Sequence, residues 1–267
     1  MKWSFILFLP AFVSMCWAVA TMAFKRRITH AQVVLSLTQM MVAFGITMLI
    51  VLFRGRAGSL FIYDFVFELL AVYCMPMYYL GICSLTEARG ATLRQRQVFW
   101  PPFVFVIGLT IGAYWLGPRR YEEMCHAIVD NTAGWITGDV VWNFLYFWDH
   151  ILFPIYTLLL IAVLAVRSHR KVLLYQRRFN SYYAEDMNVP FIDSRTLTVF
   201  TWCFVVLGVV IVCLIDFRPF MVKYWLILSA VLLSVLQFLM GRFVYRLDYD
   251  ARYLAEYIKQ KTDNSNS

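Results

Sequence analysis

Apolar residues run along this chain in long blocks separated by short polar stretches. Seven blocks of roughly 20 residues or more stand out, the length that carries a helix across a bilayer core about 30 Å thick. They lie at about 3–24, 32–53, 60–85, 98–117, 140–166, 197–216 and 222–245. The pattern predicts an all-α polytopic membrane protein. Its expected architecture is a seven-transmembrane-helix bundle over 1–245, with a juxtamembrane helix and a disordered polar tail over 246–267. The fourth block is the weakest, because Pro101-Pro102 stands at its start and Gly108 and Gly112 lie inside it. The first resembles a signal peptide, with Ala18-Val19-Ala20 as its cleavage-like end. However, Lys25, Arg26 and Arg27 follow the apolar run instead of preceding it. That order favours a retained first helix with its N-terminus outside.

Composition agrees. The chain is 61% hydrophobic and 15% charged, with a mean hydropathy of +0.66, whereas a soluble domain is about a quarter charged. Cys16, Cys74, Cys83, Cys203 and Cys213 fall inside apolar blocks and Cys125 in a loop. With no CxxC, they read as small apolar residues.

Charge sets the orientation. Loop 1 carries Lys25, Arg26 and Arg27; loop 3 carries Arg89, Arg94 and Arg96; loop 5 carries Arg167, Arg170, Lys171, Arg177, Arg178 and Arg195; the tail carries Arg242, Arg246, Arg252, Lys259 and Lys261. The opposite loops hold only Lys2, Arg54, Arg56, Arg119, Arg120, Arg218 and Lys223. The side rich in Lys and Arg is cytoplasmic. The N-terminus is therefore expected outside and the C-terminus inside. The net charge of +8 follows from this bias and suits anionic lipid. No helix-turn-helix, zinc knuckle or ribonucleoprotein motif accompanies it, so direct nucleic-acid binding is not expected.

The polar positions inside the blocks carry the candidate chemistry. The fifth block reads WNFLYFWDHILFPIY from Trp142. Asp139, Asn143, Tyr146 and His150 follow i, i+4, i+7, i+11, which places them on one helix face. Thr157 roughly continues this stripe beyond Pro154, and Asp149 flanks it. At 1.5 Å per residue, His150 lies roughly 16 Å below Asp139. The third block carries Asp64 and Glu68, again i, i+4, and Asp216 closes the sixth. Ionisable groups facing lipid cost at least a few kcal/mol, so these groups are expected to face inward. The expectation is a polar pocket between spans 3, 5 and 6, open to the outside, that takes a small ligand or a proton. Pro76 and Pro154 are positioned to kink the helices beneath it. The same groups could equally act as glue between helices, without a ligand.

No catalytic residue, metal site or cofactor is assigned. Asp149 and His150 are adjacent and point about 100° apart on a helix, which is no ready-made dyad. There is no HExxH or GxSxG. His150 is the one histidine deep in a span, which disfavours haem held by two histidines. Cys125, His126 and Asp130 in loop 4 lack a recognised metal spacing. That loop is expected to form an interfacial helix with its apolar side on the membrane, able to act as a lid. Gly108 and Gly112 form a GxxxG that permits close helix approach.

On the cytoplasmic side, the basic and aromatic first half of loop 5 extends span 5 until Asn188-Val189-Pro190 breaks it. In the tail, Leu247, Ala251, Leu254 and Ile258 form a short heptad seam, a candidate for homodimerisation over 247–258.

Span 3 contains Pro76-Met77-Tyr78-Tyr79 followed by Ser84-Leu85-Thr86, and loop 5 runs YQRRFNSYY from Tyr175 to Tyr183. With seven spans and a helix leaving the last one inward, this order resembles the sensor half of membrane-bound AraC-type transcription regulators, and related sensor kinases, of Bacteroidetes bacteria. The resemblance implies an inner-membrane sensor that passes an envelope signal to a cytoplasmic DNA-binding or kinase domain. It supplies no catalytic residues. Here the sequence stops soon after span 7, with no room for an output domain, so the expectation is either an output in a separate regulator or kinase, or a remnant or split product of such a regulator. Two other classes fit the same residues: a small transporter using the intramembrane acids, and an intramembrane enzyme. The absence of an internal repeat speaks against the former.

Overall fold

The computed structural model describes residues 8–25, 28–54, 60–86, 93–129, 140–183, 194–216 and 223–246. Among them the architecture is all-α. The helices are α1 (Leu9–Phe24), α2 (His30–Arg54), α3 (Leu60–Thr86), α4 (Trp100–Leu116), α5 (Pro118–Val129), α6 (Val140–Phe147), α7 (Phe153–Tyr183), α8 (Ser194–Asp216) and α9 (Lys223–Arg246). Two short turns, Leu93–Arg96 and Gln97–Phe99, lead into α4, and a π turn, Trp148–Leu152, joins α6 to α7. Among the described residues, each of the seven apolar blocks falls mainly on helix. Three helical stretches among the described residues are long and apolar enough to cross a membrane: His30–Met48, Val66–Thr86 and Gln97–Leu116. The last belongs to the weakest block of the sequence. Its prolines sit at the first helical positions, where a missing N–H removes no helical bond and a fixed φ suits the helix.

Six helices close a ring in the order α1, α2, α3, α7, α8, α9 and back to α1. Helices α4, α5 and α6 gather against α3 on its flank. Contacts along the helices fix their directions. Gly81 of α3 lies against Leu35 of α2, and Gly45 of α2 lies beside Leu70 of α3, so these two are antiparallel. Gly208 of α8 meets Ile161 of α7 while Trp202 meets His169, again antiparallel. Gly108 and Gly112 of α4 meet Trp148 and Leu145 in turn, which makes α4 antiparallel to α6. In contrast, Ser14 of α1 pairs with Gln237 of α9 and Lys25 with Tyr245, so α1 and α9 run parallel.

The main core centres on Tyr78. Its ring stacks on Phe204 at 4.0 Å, and its hydroxyl donates to Thr201 Oγ1 at 3.0 Å. Thr201 in turn donates to the carbonyl of Leu197 at 3.0 Å. A buried phenol needs such a partner, and the stacking adds about 0.5–1.5 kcal/mol beyond area burial. A second core joins Phe67 and Val72 of α3 to Phe105 and Leu109 of α4, Tyr121 and Met124 of α5, and Leu145 and Tyr146 of α6.

The start of α2 is capped by its own sequence. Thr29 Oγ1 accepts the N–H of Gln32 at 3.2 Å, and Gln32 Oε1 accepts the N–H of Thr29 at 2.9 Å. This reciprocal pair is a capping box. The remaining amide of Gln32 donates to the carbonyl of Val244 at 3.0 Å, and Lys25 Nζ donates to that of Tyr245 at 2.8 Å. The last turn of α9 thus has two of its carbonyls satisfied by the α1–α2 corner.

Loop 4 contains the expected helix, α5, but its packing differs from the expectation. Tyr121 and Met124 are fully buried against the second core. Of its apolar side, the described residues Tyr121 and Met124 face protein instead of a membrane, in one cluster with Phe105, Leu109 and Val72. The first half of loop 5 does extend span 5: α7 runs without a break to Tyr183. Asn188, Pro190 and the seam over 247–258 lie outside the described residues.

Candidate functional site

Pro154 explains the turn that carries Asp149 and His150. In a regular helix its ring would collide with the carbonyl of His150 four residues back, and it has no N–H to donate. The backbone widens instead. The N–H of Phe153 reaches the carbonyl of Trp148, five residues back, which is the bond of a π turn. Aromatic rings hold the widened turn in place. Trp148 lies 5.0 Å from Phe105 and 5.5 Å from Phe144, centroid to centroid, over the bare surface of Gly108. Phe105 also stacks on Tyr156 at 4.8 Å, just past the turn. The GxxxG of α4 is therefore used within the chain, to seat Trp148 and Leu145.

The π turn inserts one residue into the helical repeat, so positions beyond it trail by about 100°. Asn143 and Tyr146 precede it. Tyr146 is buried in the second core and Asn143 is half-buried. Thr157 follows it and leaves their face. Its side chain lines a cavity of about 50 Å³ with Phe153 and Ile161 of α7. Met41 and Gly45 of α2, Phe67, Ala71 and Cys74 of α3, and Phe204 and Gly208 of α8 complete that lining. The cavity is apolar apart from the Thr157 hydroxyl, which is buried with no hydrogen-bond partner.

Glu68 is 1% exposed. It follows Phe67, whose ring lies 6.4 Å from that of Phe153 at the end of the π turn. α3 therefore packs against the end of the π turn through Phe67, and Glu68, the next residue on α3, is buried. The backbones of Asp64, Asp149, His150 and Asp216 are on helix or π turn, while their side chains, and all of Asp139, lie outside the described residues. The same holds for the side chains of Cys125 and His126 and for Asp130. Among the described residues no cluster of His, Cys, Asp and Glu could hold a metal.

No protein family, curated protein or solved structure matches this chain. The residues themselves must carry the functional reading.

A second polar region was not anticipated. Ser14, Gln32, Ser36, Gln39, Ser234 and Gln237 are all buried between α1, α2 and α9. Gln32, Ser36 and Gln39 repeat at i, i+4, i+7, the same spacing that singled out the acidic stripe. Attention to charged groups alone passes over them.

Proposed function

We propose that the chain is a seven-helix integral membrane sensor that receives a signal at its outer half and passes it to a cytoplasmic partner. The carrying observation is the π turn at Asp149–His150, wedged by Pro154, at the start of a helix that packs against α3, where Glu68 is buried. A π turn differs from an α turn by one residue of register. A ligand or proton engaging Glu68, Asp149 or His150, with Asp64, Asn143, Tyr146, Asp139 and Asp216 around them, would bias that register. Such a change rotates α7, and α7 runs on as one helix into the basic stretch Arg167–Arg177.

Membrane residence has its own support. Large apolar residues are exposed along α1, α2, α4, α7, α8 and α9. On α4 they run from Trp100 through Val104, Ile107 and Ile111 to Tyr114 and Trp115. Apolar sides with aromatic ends suit a bilayer and its interfaces, whereas in water so much contiguous apolar surface invites aggregation. The alternating helix directions agree with the Lys and Arg bias, with the ends of α1, α3 and α9 toward the cytoplasm. The bacterial inner membrane is the setting this reading favours.

The test is co-purification from native membranes. Wild type is compared with a chain ending at Arg246 and with Glu68→Gln and His150→Ala. A specific regulator or kinase that is lost on truncation, and whose output no longer responds in the two site variants, supports the sensor. Substrate-dependent flux in proteoliposomes with no specific partner replaces it with a transporter.

A further inference from the structure

The unanticipated polar region between α1, α2 and α9 has the character of a hydration site. Each of the three helices presents small or polar residues to the others: Ser14, Ala18 and Thr21 on α1, Gln32, Ser36 and Gln39 on α2, and Ser234, Gln237 and Gly241 on α9. All nine are buried. Gly241 allows the closest approach, since a Cβ there would overlap the Trp17 side chain. At the Lys25 end the seam is closed by bonded groups, because Gln32 is fully used by its cap and by Val244.

Deeper in, partners run out. Ser14 Oγ lies 2.8 Å from the carbonyl of Gln39 and 3.1 Å from Oε1 of Gln237. A hydroxyl has one proton and can donate to only one of them. With the Gln39 carbonyl as acceptor, the Gln237 amide turns to donate its NH2 group to Ser14; the two amide orientations have nearly the same shape. In either orientation one end of Gln237 is left over. Both ends of the Gln39 amide and the hydroxyl of Ser36 have no partner either. Gln39 is 2% exposed. Buried polar groups of this kind are paired in native structures, by protein or by ordered water.

The leftover set selects its occupant. The NH2 group of Gln39 repels a cation, and the leftover amide carbonyls repel an anion. A water molecule offers two donors and two acceptors, which matches amide ends and a hydroxyl. We propose that the seam between α1, α2 and α9 holds internal water that bridges Ser36, Gln39 and Gln237. This holds whether or not the chain is a sensor. Water can exchange its bonds as helices shift, so the seam would let α9 slide against α1 and α2 without stranding an amide.

The test uses full-length protein with 15N-labelled glutamine in deuterated detergent. Rotating-frame NMR detects magnetisation passing from water to side-chain NH2 groups, and its sign separates bound water from proton exchange. Gln39→Met and Gln237→Met, which keep chain length, assign the two signals by their disappearance. Both NH2 groups are expected to show bound-water transfer. Absence of transfer at both, with the exposed Gln97 serving as the responsive control, would overturn the proposal. Thermal unfolding gives a second arm that needs no assignment. Water that satisfies Gln39 predicts that Gln39→Met does not raise the midpoint. A clear rise would mean that the amide is buried dry, and would also overturn it.

Discussion

Gly108 of α4 lies so close to the indole of Trp148 that a Cβ placed there would be 2.9 Å from Cη2. This contact braces the π turn against α4. Gly108→Ala should push Trp148 off its seat and destabilise the protein by about 1–3 kcal/mol, the usual cost of overpacking. Gly45→Ala is the control. A Cβ there meets Leu70 Cβ at an ordinary 3.8 Å. Relief of the glycine penalty in a helix is worth up to about 1 kcal/mol. Unfolding midpoints of the two variants should move in opposite directions, or Gly45→Ala should stay level.

Gln32 serves two helices with one side chain. It completes the α2 cap and satisfies Val244 on α9. Gln32→Ala removes both and leaves buried groups unpaired, for a loss of about 1–3 kcal/mol. Gln32→Glu keeps the acceptor for Thr29 but removes the donor to Val244 and adds a buried charge, so it should not restore stability. Thermal melts of the two variants check this.

Removing the Tyr78 hydroxyl should be milder. Tyr78→Phe keeps the stack on Phe204, and Thr201 retains its bond to Leu197. The expected loss is about 0.5–1.5 kcal/mol. A loss of several kcal/mol would mean that the hydroxyl supports more than the pair with Thr201.

Pro154→Ala bears on the π turn itself. It returns an N–H and removes the ring that keeps the helix wide. The turn Trp148–Leu152 is expected to tighten toward α, with slower amide hydrogen exchange over 148–153 and weaker coupling to the cytoplasmic partner. Unchanged exchange there would show that Pro154 is not what holds the turn open.

The long apolar blocks were readable where helix and block share their ends: α3 and α9 fall within a residue or so of theirs, whereas α7 runs on to Tyr183, past the block that ends at 166. The stripe from Asn143 to Thr157 was only half readable. A uniform 3.6-residue repeat cannot register an inserted residue, though Pro154 was a local warning. The role of Tyr121 was hidden for a different reason: an amphipathic helix does not reveal whether lipid or protein will cover it. The seam at Ser36 and Gln39 was readable by spacing, but neutral side chains draw less attention than acids.

A sensor of this kind needs helices that alternate across a bilayer, with α5 on the outer side and the basic half of α7 on the inner. The direct measurement is cysteine labelling with a membrane-impermeant reagent, in right-side-out and inverted vesicles. Arg119→Cys and Arg170→Cys, both at exposed positions, are placed in a chain whose six native cysteines are replaced by alanine. Position 119 is expected to label only in right-side-out vesicles and position 170 only in inverted ones. Labelling of both from one side would contradict this arrangement.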